Sequence, residues 1–421
     1  MEKLLLLGID TSTKHILQYA RSIGVYTIIS DMYPSDSSPV KELADENWQI
    51  DVKDLDKLEN ACKEKGVTGV YNGNHDICLE YVRALSLRLF GEFYASDRAW
   101  ECSRDKREFK KECTLVGLTV PKCYEFSESS IKSGQDGPVF PLVVKPADSF
   151  ASQGLSICYD SEELKKGIVA ALKVSPKRKV VVEEYIDGDE YCLGYIFDQD
   201  KVSLFEFARL YKYTFNNVER FVYTRHRVKP DIREEYLSTV HDKVRKLFRN
   251  IRAEKGCGFI QMIYRDHTFY PLEFGYRLDG VGSWMTKKLT SGFSVAEYLA
   301  DVVLHREQSY LEEKSRKLSA CTEYYGGEYF PVVRPGKIAR VEGLETIKSM
   351  DKVEVILERF REGDQVSSAN SMYQIAYYIS IGASSDEETA NKLKKINDIL
   401  HLYDEDGDEM LYKFEKYEIF N

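Results

Sequence analysis

FPLVVKPADSFASQGL, residues 140–155, decides how this chain is read. Lys145 ends an apolar, β-rich run, and an ammonium group there is costly to bury unless its charge has a partner. The small polar loop that follows, Asp148 to Gly154, can offer backbone N–H groups to phosphate oxygens while Lys145 supplies positive charge. The plainer alternative is a lysine whose stem snorkels out of a strand end.

Three neighbouring stretches share the theme. In KVVVEEYIDGDEYCLGYI, residues 179–196, a valine run ends in Glu183 and Glu184, Asp187-Gly188 makes a turn, and Glu190 opens the next strand. Glu183, the backbone from Glu184 to Ile186, and Glu190 form an edge of acceptors and donors suited to an adenine amine and ribose hydroxyls. Solvated charges beside a turn are the alternative. In GFIQMIYRDHTFYPLEFGYRLDG, residues 258–280, period-two alternation puts Phe259, Gln261 and Ile263 on one face of a strand. It puts Phe269, Pro271 and Glu273 on one face of the next, so a tight turn brings Gln261 near Glu273. An amide oxygen and a carboxylate are hard ligands that suit Mg²⁺ held partly by substrate phosphates. Arg277 is placed to stabilise a transferring phosphoryl group; a surface hairpin with an arginine salt bridge is the alternative. Finally, Asp105 and Glu108 read as a capping box, which sets Lys106 in a first helical turn, where an anionic ligand would offset the unfavourable macrodipole.

Around these motifs the chain changes character twice. Residues 4–7, 25–29 and 67–71 read as strands alternating with helices through Ile16 and Tyr19 and over Leu55 to Lys65, which predicts a parallel sheet. Gly24 and Gly66 fall where left-handed helix caps are useful. From Phe140 onward longer paired strands predict an α+β block, with turns at Asp198-Gln199-Asp200 and Arg265-Asp266-His267 and helices at 161–172 and 233–252. A third section from about Arg334 mixes short strands with a helix near 386–400.

The 421 residues are enough for two or three domains, and 43% hydrophobic with 30% charged residues fits a soluble globular protein. A net charge of −10 without a basic run argues against nucleic-acid and membrane partners. The nine cysteines are scattered and never spaced as CxxC, so they read as reduced cytosolic thiols. The opening leucines are too few for a signal or spanning segment and read as a buried first strand, so a cytoplasmic protein is expected.

In order and spacing, the four motifs together resemble the ATP-grasp superfamily, with its carbamoyl phosphate synthetase, biotin carboxylase, glycinamide ribonucleotide synthetase and amino-acid ligase branches. The resemblance is strongest between Ser103 and Gly280. It implies an α/β and α+β architecture: a Rossmann-like pre-ATP-grasp domain over 1–95, an ATP-grasp domain over 96–310 with a lid at about 120–187, and a C-terminal α+β subdomain over 311–421. It implies that Lys106 and Lys145 contact ATP phosphates and that the loop through Ser152 and Gly154 closes over them. Glu183, Glu184 and Ile186 would meet adenine, Glu190 the ribose, Gln261 and Glu273 the Mg²⁺ or Mn²⁺, and Arg277 the γ-phosphate or acyl-phosphate.

The implied reaction is carboxylate–amine ligation through an acyl-phosphate, on small-molecule substrates, in an expected homodimer. One departure stands out: the common Glu-x-Asn-x-Arg pattern reads Glu273-Phe274-Gly275-Tyr276-Arg277, so one metal contact is lost or passes to water, Gln261 or substrate. The rival expectations are carbamoyl phosphate or phosphoribosylglycinamide chemistry and, because of Gly275, an ATP-binding module without turnover. Arg225, His226 and Arg227 form a basic cluster that can hold an anionic group, with a solvated loop as the alternative.

Overall fold

The computed structural model describes residues 1–124, 138–148, 154–215, 218–319, 324–367 and 374–414. The N-terminal part is the expected parallel sheet. Strands β1 (Lys3–Leu7), β2 (Tyr26–Asp31), β3 (Glu46–Gln49) and β4 (Gly69–Tyr71) lie in the order β3-β2-β1-β4. Helices α1 (Thr13–Ser22), α2 (Leu55–Lys65) and α3 (Asp76–Phe90) connect them or follow them. Leu4 to Leu7 are wholly buried because helices cover both faces of the sheet. Gly24 and Gly66 take the left-handed φ values of 74° and 71° that their positions after helices require.

Two short helices, α4 (Asp97–Arg104) and α5 (Lys106–Leu115), lead into a three-stranded antiparallel sheet of β5 (Leu142–Pro146), β6 (Ser156–Cys158) and β7 (Val180–Glu184), backed by α6 (Ser161–Val174). The chain then enters the main sheet. It contains β8 (Asp189–Asp198), β9 (Lys201–Phe215), β10 (Val218–Arg225), β11 (Lys255–Arg265), β12 (Thr268–Gly275) and β13 (Tyr325–Tyr329). The order is β12-β11-β8-β9-β10-β13, continued by Tyr377–Ala383 and Val353–Glu358, and every pairing is antiparallel. Strands from the last quarter of the chain thus extend the same sheet that carries the Gln261 and Glu273 hairpin. The helix α10 (Val295–Val303) packs on β4 and β11 and joins the two sheets into one core.

The turns at 199–200 and 266–267 form as expected, with positive φ at Gln199, Asp266 and His267. The helix expected over 233–252 is instead two, α7 (Pro230–Thr239) and α8 (His241–Asn250). The Ser238 and Thr239 hydroxyls donate to the carbonyls of Glu234 and Glu235 one turn back, which favours a bend, and Val240 turns the chain there. The helix α9 (Ser283–Ser291) lies against β13 and Tyr377–Ala383.

Candidate active site

The site gathers where the three-stranded sheet meets α5 and the β11–β12 hairpin. Asp105 caps α5 by accepting from the Arg107 N–H at 3.0 Å, which fixes Lys106 as the first helical residue. Glu108 does not return the capping bond; its carboxylate pairs with Lys111 and with Arg98. Lys106 turns toward β12, and its Nζ lies 3.1 Å from Glu273 Oε2. One helical turn on, Lys110 falls on the same face of α5 and is buried.

Lys145 is buried too, so the snorkelling alternative does not hold. Strands β5 and β7 place Val143 opposite Glu183 and Lys145 opposite Val181, so Lys145 and Glu183 are diagonal neighbours on one face. Glu183 is buried between the ammonium groups of Lys145 and Lys110, in contact with both. One carboxylate cannot balance two buried ammonium groups with Lys106 nearby. Burial first, then repulsion from Lys110 and Lys106, pushes Lys145 well below the usual lysine range. Burial likewise lowers Lys110 to about 8. Glu273 has the opposite bias: burial raises it, but Lys106, Lys145 and Arg277 outweigh burial and hold it below the usual carboxylate range.

The end of β7 and the residue after it are tied to two other segments. The Glu184 N–H donates to Lys122 O at 3.0 Å, its carboxylate accepts from the Lys122 N–H at 2.9 Å, and the Tyr185 N–H donates to Pro141 O at 3.1 Å. Among the described residues the Ile186 N–H has no backbone partner, and its side chain is buried. Glu190 is the second residue of β8, one past its start at Asp189, and pairs with Lys212. Gly154, at φ +73°, closes the described part of the small-residue loop, and Ser152 lies outside the described residues.

The hairpin corrects one detail. Gln261 and Glu273 are direct cross-strand partners, but the register shifts immediately beyond them, where Met262 faces Pro271. The bulge leaves Leu272 unpaired and reverses the alternation, so Glu273 shares a face with Tyr270 and Gly275, not with Phe269 and Pro271. Phe269 and Pro271 are buried on the opposite face with Met262. Gly275 faces Phe259, whose ring occupies the space that a Gly275 side chain would need. The same ring lies under the Arg277 guanidinium, 5.0 Å from its centroid.

Arg277 is aimed by a residue that carried no sequence signal. Asp76, at the start of α3, accepts from Arg277 Nε at 2.8 Å and from a terminal nitrogen at 2.9 Å, and also pairs with Arg104 at 2.8 Å. Burial raises Asp76, but the two arginines hold it below the usual range. Lys110 was also missed, although its spacing of four from Lys106 was a legible signal. The proposed basic cluster is dispersed. Arg225 pairs with Asp386 at 3.0 Å, Arg227 stacks on Tyr325, and His226 is buried among carboxylates.

Comparison with known proteins agrees with this layout. Residues 138–284 match the family model described as ATP-grasp domain. The formate-dependent phosphoribosylglycinamide formyltransferase of Prochlorococcus marinus subsp. pastoris is 27% identical over 201 residues, 45% of this chain and 48% of that protein. The carbamoyl phosphate synthase large chain of Clostridium perfringens is 22% identical over 387 residues, 89% of this chain and 34% of that protein. The match thus spans about half of the first relative's length and a third of the second's. The L-amino acid ligase of Bacillus licheniformis superposes with a TM-score of 0.76 at 19% identity, covering 96% of this chain and 99% of that one. The biotin carboxylase domain of the Hydrogenobacter thermophilus 2-oxoglutarate carboxylase gives 0.77 at 14% identity, covering 97% and 91%. This chain carries an ATP-grasp domain and has the ATP-grasp fold.

Proposed function

We propose that this protein is an ATP- and Mg²⁺-dependent ligase that joins a carboxylate to an amine through an acyl-phosphate, releasing ADP and phosphate. The observation that carries this reading is the pairing of Gln261 with Glu273 beside Lys106, within the field of Lys145 and Arg277. The domain division at 1–95, 96–310 and 311–421, a homodimer and a cytoplasmic location belong to the same reading. Among the described residues no helix is long and apolar enough to cross a membrane.

The donor set fits a divalent cation held partly by substrate. Two hard oxygen ligands face each other at Gln261 and Glu273, and the Phe259 ring leaves Gly275 no space for a third. Bound there, Mg²⁺ or Mn²⁺ would neutralise charge on the phosphates. Lys106 and Lys145 would hold phosphate oxygens, the Ile186 N–H an adenine ring nitrogen, and Glu190 the ribose hydroxyls. The substrate carboxylate attacks the γ-phosphorus as the bond to the β-phosphate oxygen breaks, and Arg277, fixed by Asp76, meets the charge on the transferring group. The amine nitrogen then attacks the acyl carbon, loses a proton and expels phosphate.

ADP and phosphate release from Mg·ATP across a panel of acids and amines, beside Glu273→Ala, tests this reading. Acid-dependent release abolished in the variant is the expected result. Nucleotide binding with no release for any acid or amine would favour the second reading, a binding module without turnover, for which Gly275 is the specific observation.

A further inference from the structure

The helix α3 turns an apolar stripe to solvent. Among the described residues it packs on α2, β1 and β4, and Cys78, Leu79, Val82, Leu85 and Ser86 form its buried side. At 100° per residue Ala84 sits opposite that side, flanked by Ile77, Glu80, Tyr81, Leu87, Arg88 and Gly91. Ile77 is 55% exposed and Leu87 38%, and Tyr81 and Ala84 are half-buried. The solvent faces of α2 and α8 are different: they carry Lys57, Lys63 and Glu64 on one and Lys243, Lys246 and Arg249 on the other.

The stripe on α3 is its own complement. Positions 77, 80–81, 84, 87–88 and 91 recur every three to four residues, the spacing that makes a seam between two helices crossing at about 20°. When a second copy is laid antiparallel with the two-fold axis at Ala84, residues equally far before and after Ala84 meet. Tyr81 then meets Leu87 of the second copy, and Glu80 meets its Arg88. Ile77 meets its Gly91, where a β-carbon would find nothing within 4 Å, so the space is open. Ala84 meets itself and is small enough to let the helix axes approach to about 8 Å. A parallel pair would instead set Glu80 on Glu80 and Arg88 on Arg88, which repel.

The charged positions are available for this exchange. Within the chain Arg88 pairs with Asp56 and Glu59, and Glu80 with Arg104 Nε at 3.1 Å. Asp56 and Glu80 are exposed, and ion pairs open to solvent contribute little.

The geometry points to α3 as the contact of a homodimer, two copies of this helix packed antiparallel about a two-fold axis at Ala84. This contact gives the homodimer proposed above its surface and does not depend on ligase turnover. The helix has 15 residues and is about 22 Å long. One helix pair is at the small end of specific interfaces, so the dimer dissociates at about micromolar concentrations. Asp76, which aims Arg277, is the first residue of the same helix, so pairing at Ile77 steadies the end that fixes that guanidinium.

Sedimentation equilibrium of the full chain from about 1 to 300 µM reads the assembly, and oxidative cross-linking of Ala84→Cys reads its geometry. Facing Cα atoms of helices about 8 to 10 Å apart lie about 4 to 6 Å from each other, within disulfide reach. Ala84→Cys should cross-link into a dimer well above the background set by the wild-type chain and by Lys63→Cys on α2. Leu87→Glu should weaken self-association by about tenfold or more. Glu80→Lys and Arg88→Glu should each weaken it, and the double variant should recover most of the loss. A chain that stays monomeric up to about 300 µM would overturn the dimer and this interface together. A dimer in which Ala84→Cys does not cross-link above background would leave the dimer standing and overturn the interface. The cross-link adds one small side chain on a solvent-facing stripe, so its outcome does not rest on a disruptive variant. Phosphate release from Mg·ATP in the same samples reports separately on the ligase reading.

Discussion

Where the three-stranded sheet meets β12, three lysines, Lys106, Lys110 and Lys145, surround two carboxylates, Glu183 and Glu273. Beneath α9, three buried carboxyl groups, Glu206, Asp279 and Glu328, gather around Lys287 and His226. Both clusters are largely buried, but they relieve their crowding differently: burial lowers Lys110 and Lys145 in the first and raises the Glu206 and Asp279 carboxyls in the second. Burying charge of either sign opposes folding, so each cluster is held in place by packing elsewhere: the lysines by α5 and the three-stranded sheet, the carboxyls by the main sheet and the α9 N-terminus.

Removing charge from each cluster separates their roles. The largest effect is expected from Glu273→Ala, which should lower acid-dependent phosphate release by about a hundredfold or more while nucleotide still binds. Next, Lys145→Met should weaken nucleotide binding by about ten- to a hundredfold, whereas Glu206→Gln should leave it within about twofold, as read by calorimetry. Equal losses in the two variants would merge the clusters into one site.

A smaller effect follows from the lysines. Burial lowers Lys110 to about 8 and pushes Lys145 well below the usual lysine range. Phosphate favours their charged forms, so nucleotide binding takes up protons, and affinity falls as pH rises through about 8. Lys110→Met should flatten that decline, and titrations in buffers of different ionisation enthalpy measure the uptake. The smallest change is Gly275→Asn, which restores the common family residue but drives it into the Phe259 ring. It should cost about 1–3 kcal/mol in thermal unfolding, relieved in part by Phe259→Ala, without raising activity.

Legibility varied with how local the signal was. The parallel N-terminal sheet, the Lys145 strand, both hairpin turns and the Lys106 cap were readable because alternation, turn residues and caps act over a few positions. The face carrying Glu273 was misread because a bulge at Leu272 breaks strict alternation and leaves no clear mark in composition. The helix over 233–252 was read as one because its apolar spacing runs through Val240, and hydroxyl back-bonding at Ser238 and Thr239 decides the break. Arg225, His226 and Arg227 looked like one basic patch, but alternation along an extended chain sends neighbours to opposite sides and to different partners.

The sequence by itself determined the ATP-grasp resemblance, the order of the motif residues from Lys106 to Arg277, and the loss of a donor at Gly275, since these depend on residue types at fixed spacings. Only the tertiary structure decided that Asp76 aims Arg277, that Glu183 is shared by Lys110 and Lys145, and that Glu206, His226, Asp279 and Glu328 converge under α9. These contacts join residues 38 to 201 positions apart. Sheet pairing sets such meetings, and no local spacing encodes which distant side chain a buried charge will face.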